Sequence, residues 1–181
     1  MQELYSIAIS PSEAIISEVK EIKEKLNSEI GWYNSIHCLA HISINQFLAS
    51  EAELETVKTE LMAICDALPR FEVTFNDFGT YPKNGAFYIT PDAASTTRLK
   101  TLMKQIHDSL QVDTEFKNND PHMSIARRLT PENLESAKRL FPTVNLRYCC
   151  DSVVIRKFSS EKKQFDNVVE FKFKERVGLT I

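Results

Sequence analysis

The sequence predicts an α+β fold of two similar lobes, in which two antiparallel-rich sheets related by a pseudo-twofold axis face a central cleft, with the helices packed outside. Three observations carry that prediction. Strand-like and helix-like segments follow one another in the same order twice, a His-x-Ser triplet recurs at nearly the same place in each round, and two further strand-like segments close the chain. The first round covers about residues 1–80, the second 86–150, and 151–181 holds the C-terminal strands, all within one bilobal domain. A chain of 181 residues buries enough surface to hold its core without a disulfide or metal staple.

Leu4-Tyr5-Ser6-Ile7-Ala8-Ile9 alternates as a half-buried strand does. Pro11-Ser12 then opens a helix, because Ile15, Val19, Ile22, Leu26 and Ile30 recur at helical spacing, and Gly31 supplies its stop. A second strand is expected from about Ala40 to Leu48. Ser50-Glu51-Ala52-Glu53 has the reciprocal capping pattern of a helix start, and Leu54, Val57, Leu61, Ile64 and Leu68 share one face of the helix that follows. Pro69 closes it. Phe71-Glu72-Val73-Thr74-Phe75 completes the first unit as a strand, followed by Phe78-Gly79-Thr80-Tyr81-Pro82 and a turn at Lys83-Asn84-Gly85.

The second unit opens on the strand Ala86-Phe87-Tyr88-Ile89-Thr90. A helix is expected from about Asp92 to Leu110, with Leu99, Leu102, Met103, Ile106 and Leu110 inward. The polar stretch from Asp113 to Asp120 reads as a loop. His122-Met123-Ser124-Ile125 is the next strand, and Thr130-Pro131-Glu132 starts a helix with a cap and a first-turn proline. Val144 to Tyr148 matches Phe71 to Phe75. Tyr5 lies 36 positions before His41 and Tyr88 lies 34 before His122, so duplication of one unit is the economical explanation. In the tail, Val153 to Arg156 and Val168 to Phe173 read as two strands that extend one sheet, joined by a charged loop around Ser159 to Lys163.

Composition narrows the classes of function. Hydrophobic residues make up 43% of the chain, yet no apolar run nears the roughly 20 residues of a membrane span, so no membrane partner is expected. Met1-Gln2-Glu3-Leu4-Tyr5 lacks the basic-then-apolar pattern of a secretory signal; the chain is expected in the cytoplasm, as a monomer. Cys38, Cys65, Cys149 and Cys150 show no CxxC spacing and read as reduced thiols. A net charge of −3 argues against a broad basic face for long nucleic acid but leaves room for a local basic pocket, which suits a small phosphate ester or an RNA end. The four glycines, Gly31, Gly79, Gly85 and Gly178, form no phosphate-cradling loop, so motif-based use of ATP is unsupported.

The two His-x-Ser triplets carry the chemistry. Residues two apart in a strand share a face, so His41 points with Ser43 and His122 with Ser124, while the apolar residues between them claim the core side. A pseudo-twofold relation then aims both imidazoles and both hydroxyls into one cleft. One neutral imidazole takes a proton from the attacking water or hydroxyl while a protonated one gives a proton to the leaving alkoxide, each role being worth roughly 10²–10⁴-fold in rate. Histidine suits both roles because it titrates near about 6.5. The hydroxyls donate to the non-bridging phosphate oxygens, and no metal or other cofactor is required. A lone His-x-Ser reads more readily as a structural or solvent-facing histidine; two at equivalent positions favour chemistry.

On these residues the chain resembles the 2H phosphoesterase superfamily, in particular its 2′-5′ RNA ligase-like and cyclic phosphodiesterase branch, whose signature is two His-x-Thr/Ser-x motifs on paired strands. The similarity runs through His41-Ile42-Ser43-Ile44, Phe78-Gly79-Thr80-Tyr81-Pro82 with Ala86-Phe87-Tyr88-Ile89, His122-Met123-Ser124-Ile125-Ala126-Arg127 and a late strand from Phe165 to Phe171, and so covers essentially the whole chain. The resemblance implies hydrolysis or transesterification at 2′,3′-cyclic phosphates, 2′-5′ linkages or related cyclic nucleotide esters. It implies His41 and His122 as the catalytic pair, Ser43, Ser124 and Arg127 as phosphate-binding residues, and no cofactor. Two features depart from the family pattern: both hydroxyls are serine where threonine is frequent, and the first motif continues Asn45-Gln46 with no basic residue to match Arg127. Simple alternation sets Arg127 opposite His122 and Arg128 on its side; a strand that ends or bulges there turns Arg127 inward.

Tyr81, Phe87 and Tyr88 either line the cleft, where aromatic faces stack on a base, or pack in the core; Tyr81 and Tyr88 are taken as substrate-lining. Lys83 reads first as an exposed turn lysine. His37 reads as a loop residue, and His107 lies on the helix face away from Leu102, Ile106 and Leu110; neither makes a metal-ligand spacing with the cysteines. The expected protein is a metal-independent phosphodiesterase whose partner is a nucleotide or RNA-end phosphate ester. Its rivals are a non-catalytic RNA-end or nucleotide-binding module with the same polar cleft, and a metal-dependent phosphatase, for which the ligand clusters are lacking.

Overall fold

The computed structural model describes residues 1–174, so the last part of the expected strand region 151–181, residues 175–181, lies outside the described residues. In chain order the elements are β1 (Glu3–Ile9), α1 (Glu13–Ile30), β2 (Ile42–Ala49), α2 (Glu51–Ala67), β3 (Phe71–Tyr81), a 3-10 turn (Pro82–Asn84), β4 (Ala86–Pro91), α3 (Ala93–Ser109), β5 (Thr114–Lys117), β6 (Met123–Ala126), α4 (Pro131–Leu140), β7 (Leu146–Cys150), β8 (Ser152–Ser159) and β9 (Gln164–Lys172). Helix ends fall where side-chain chemistry meets the unpaired backbone groups. The Ser50 hydroxyl accepts from the Glu53 N–H while the Glu53 carboxylate accepts from the Ser50 N–H. At α3 and α4 the cap is one-way, the Asp92 carboxylate accepting from the Ser95 N–H and the Thr130 hydroxyl from the Asn133 N–H, and Gly31, at φ 79, ends α1.

The nine strands of the described residues join one sheet of order β7-β3-β4-β6-β2-β1-β8-β9, with β5 also paired to β2. The two expected sheets are its halves, β6-β4-β3-β7 and β2-β1-β8-β9. A single antiparallel pair, Ile42 with Met123, joins them, and both side chains are fully buried. Counted outward from that joint, β2 matches β6, β1 matches β4 and β8 matches β3. This corrects the reading of Phe71–Phe75 as the strand that completes the first unit. β3 runs on to Tyr81 and pairs with β4 and β7 in the second lobe, and β8 takes the corresponding place beside β1. The stretch Asp113–Asp120, expected as a loop, contains β5, whose mostly exposed residues lack the alternation that marks a half-buried strand.

The sheet curls until its ends adjoin. β7 stands at one end of the order and β8 near the other, yet Asp151 alone links them, and one residue spans at most about 3.6 Å. The Phe173 N–H donates to the Asp151 carbonyl at 2.7 Å, Pro69 bridges to Lys174, and the Phe71 and Phe173 rings stack at 6.5 Å. The helices pack outside this curl, α1 against α4 and α2 against α3. Their predicted stripes are buried, through Ile15, Val19 and Leu26 on α1, Leu54, Val57, Leu61 and Ile64 on α2, and Leu99, Leu102, Met103 and Ile106 on α3. Full burial of one such side chain is worth about 1.5–3 kcal/mol. One charged residue, Lys23, lies buried with the α1 stripe. Among the described residues no helix is long and apolar enough to cross a membrane.

Gly85 closes the 3-10 turn at φ 63, where an added Cβ would lie 2.2 Å from the Leu129 carbonyl oxygen, and Gly85 O accepts from the Leu129 N–H at 3.0 Å. Gly85→Ala is therefore expected to lower the unfolding free energy by about 1–3 kcal/mol. A denaturant midpoint equal to that of the parent protein would refute this account of the turn.

Candidate active site

Register sets the two histidines diagonally across one strand pair, although of the two only His41 lines the cavity described below. Each immediately precedes its strand, and the antiparallel register through Ile42 and Met123 sets Ser124 across from His41 and Ser43 across from His122. The histidines are then diagonal neighbours on one face, a relation that spans about 7–8 Å. Each ring is held in the same manner: His41 Nδ1 lies 2.8 Å from the Leu39 carbonyl and His122 Nδ1 lies 2.7 Å from the Asp120 carbonyl, in both cases two residues back. A carbonyl only accepts, so Nδ1 carries the proton and Nε2 is left to take or give another.

Both motif strands bulge at the residue after the serine. Ile44 intervenes between the pairs Ser43–Ala8 and Asn45–Ile7, and Ile125 between Ser124–Tyr88 and Ala126–Phe87. The extra residue reverses the alternation beyond it, so Gln46 and Arg127, each five places after its histidine, turn to the histidine side. Arg128, at φ 58, then bends the chain. Simple alternation, which set Arg127 away from His122 and Arg128 beside it, is corrected by this bulge. The first bulge is braced by Asn45 Oδ1, which accepts from the Ile7 N–H at 3.3 Å.

These turns enclose a cavity of about 150 Å³ lined by His41, Ser43, Ser124 and Arg127, together with Gln46, Lys23, Arg156 and Lys163. No carboxylate lines it. Lys23, 2% exposed, donates Nζ to the Ser35 and Cys38 carbonyls at 3.2 and 2.6 Å and so holds the turn that leads to His41; burial pulls its pKa down to about 8. Arg156, 6% exposed, donates Nη2 to the Phe165 carbonyl at 3.0 Å and lies over the Phe165 ring. Burial, then the Arg156 charge, drives the His41 pKa down to about 3, with Arg127 and Lys23 adding to the fall and the Leu39 carbonyl opposing it. Burial also lowers His122, against the Asp120 carbonyl bond and carboxylate, which raise it. Burial thus favours the neutral form of both imidazoles in the free protein.

The His122 side is aromatic. Its ring lies 4.7 Å from the Tyr88 ring and edge-on to Tyr81 at 5.8 Å, and the two tyrosines are 4.6 Å apart. Tyr81 donates its hydroxyl to the Asp120 carboxylate. Asn118 donates Nδ2 to the Ser43 carbonyl at 2.8 Å and to the Asp120 carbonyl at 3.1 Å, tying the first motif strand to the group that holds His122. Phe87 packs in the core instead, stacked on Phe78 at 5.0 Å. Lys83 is exposed and His37 lies exposed in the turn before His41. The helix face that carries His107 meets β2, where its Nε2 lies 3.0 Å from the Ile44 carbonyl at the bulge. Among the described residues no three His, Cys, Asp or Glu side chains group to hold a metal ion. Sequence reasoning missed Lys23, Arg156 and Asn118. Gln46 had a signal, its equal offset from His41 as Arg127 from His122.

A family model described as the 2′-5′ RNA ligase superfamily matches residues 11–161. No curated protein matches the sequence significantly. Among solved structures, the chain is similar to E. coli LigT complexed with 3′-AMP, with a TM-score of 0.68 at 11% identity over 96% of this chain and 99% of that one. It is also similar to TT0787 of Thermus thermophilus, with a TM-score of 0.66 at 14% identity over 96% and 99% of the two chains. Usb1 of Kluyveromyces marxianus gives 0.62 at 12% identity over 94% and 98%. At such identities these likenesses are of fold.

Gly79 pairs across from Tyr88, and a Cβ there would lie 2.3 Å from the Tyr88 ring. Gly79→Ala should push that ring off His122. The His122 ring-proton resonances, set partly by the neighbouring aromatic faces, should then move while those of His37 stay in place; unmoved His122 signals would count against the seating described.

Proposed function

The chain belongs to the 2′-5′ RNA ligase superfamily, and from that footing we propose that it is a metal-independent phosphodiesterase acting on 2′,3′-cyclic phosphates or 2′-5′-linked nucleotide and RNA-end esters. Membership supports a phosphodiesterase-type activity. The observation that carries the finer reading is the matched pair of imidazoles, each tied through Nδ1 to the carbonyl two residues back and set diagonally across one strand pair. In opening a cyclic ester, one neutral Nε2 takes a proton from water as its oxygen bonds to phosphorus. The phosphorus–oxygen bond to the ribose breaks, and the other imidazole, protonated, delivers a proton to the departing alkoxide. Ser43, Ser124 and Arg127 hold the non-bridging oxygens, where negative charge is concentrated through the displacement. Tyr81 and Tyr88 offer a stacking surface for the base beside His122. The ligands of the related fold, 3′-AMP and ATP in E. coli LigT, are nucleotides of the kind this arrangement suits.

His41→Ala and His122→Ala should each lower kcat/KM on a nucleoside 2′,3′-cyclic phosphate by about 10²-fold or more with the fold kept, and turnover should survive a chelator. Turnover retained in either variant would end the two-histidine mechanism, and ligand binding without product in the parent protein would favour a binding module. The pH profile gives a separate check. With both folded-state values depressed, the bell of kcat/KM, which reports the free enzyme, should be centred below the usual imidazole value of about 6.5. A bell centred above it would contradict the burial and charge described.

A further inference from the structure

The cavity beside His41 holds more positive charge than one phosphate ester uses. A cyclic phosphate or phosphodiester carries a single negative charge, which Arg127 and the serine hydroxyls meet. Lys23, Arg156 and Lys163 are additional. Lys23 and Arg156 are nearly shut off from water, and among the described residues neither forms an ion pair with a carboxylate. Asp166, whose charge acts on Arg156, is bonded to Lys162 at 2.8 Å instead. A buried cation without a counter-charge is a standing cost to the fold unless an anion arrives. Both heads also keep donors in hand. Lys23 gives two of its three N–H groups to carbonyls, and on Arg156 only Nη2 has an acceptor among the described residues.

This surplus charge adjoins the reacting phosphate within the same cavity. Gln46, Ser6 and Arg156 stand in one row across β2, β1 and β8. The Arg156 backbone stands two strand spacings, about 10 Å, from the motif strand, and its bond to Phe165 anchors the guanidinium at β9 while its charge still acts on His41 and Arg127. We propose that Lys23 and Arg156, with Lys163 at the rim, form a second anion subsite that receives a further phosphate of the nucleotide. The substrate class is then a phosphate ester carrying a second phosphate group. The inference rests on the phosphodiesterase reading for its first site.

Calorimetric titration of the full chain with a nucleoside 3′-monophosphate, a nucleoside 3′,5′-bisphosphate and a dinucleotide ending in a 3′-phosphate tests the subsite without requiring turnover. At least one doubly phosphorylated ligand should bind about tenfold tighter than the monophosphate. A gain confined to the dinucleotide marks an RNA end, and a gain for the bisphosphate marks a free nucleotide. Arg156→Gln and Lys23→Met should each reduce that advantage to about threefold or less, with Arg156→Lys keeping part of it. Lys163→Ala, on an exposed turn, serves where a buried substitution fails to fold and should also narrow the gap. Equal affinity for all three ligands in the parent protein overturns the subsite, as does an advantage that survives the substitutions. Cyclic phosphate turnover is scored separately. Its absence alongside a bisphosphate gain would sink the enzyme reading alone, whereas turnover without the gain would sink the subsite alone.

Discussion

Two apolar side chains, Ile42 and Met123, decide what the polar residues beside them meet. Theirs is the one pairing between the motif strands, and both are fully buried. A shift of one residue on either strand would carry Ile42 or Met123 to the cleft and a histidine to the core, reversing every side chain of that strand. The buried pair therefore fixes the register, and the register fixes the histidine diagonal. The carbonyl tethers and the twin bulges act only after that choice is made. They settle which ring nitrogen is available and turn Gln46 and Arg127 toward it.

Charge is the second determinant of the site. The whole chain is slightly acidic, yet the cavity next to His41 is lined by cations without a carboxylate among them. Such local concentration attracts an anion while it adds to the burial that favours neutral imidazoles nearby. An arriving phosphate opposes the same field, so binding and proton uptake by a histidine are coupled. The arrangement sacrifices some stability, because Lys23 and Arg156 would be easier to bury as apolar residues. Residues that weaken the fold and yet face a cavity are those a functional site is built from.

Much of this could be seen in the sequence because local periods carry it. The helix stripes, the Ser50–Glu53 capping pair and the Thr130-Pro131 start each depend on residues close in the chain, and each stands where expected. What escaped detection depends on residues distant in the chain. The transfer of β3 to the second lobe leaves no mark on its own alternation. Both bulges break a period-two reading that has no means of foreseeing an extra residue, which is why Arg127 first read as facing away. Arg156 ends an ordinary apolar strand sequence, and Lys23 looks like one more charge on an amphipathic helix; only packing shows that they share a cavity with His41. Asn118 lay in a stretch too polar to read as structure, and its value comes from two carbonyls that the chain brings beside it.

The one-residue link at Asp151 carries a consequence for how the molecule handles a ligand. The lobes are fastened on one flank by the Ile42–Met123 contact and on the other by Asp151, the Pro69–Lys174 bridge and the Phe71–Phe173 stack. Contacts along two separated edges resist a swing of the halves about either one. For the ligands proposed above, selection would then rest on the width of the gap and on side-chain adjustment at its rim, as a gauge passes one thickness and refuses the next.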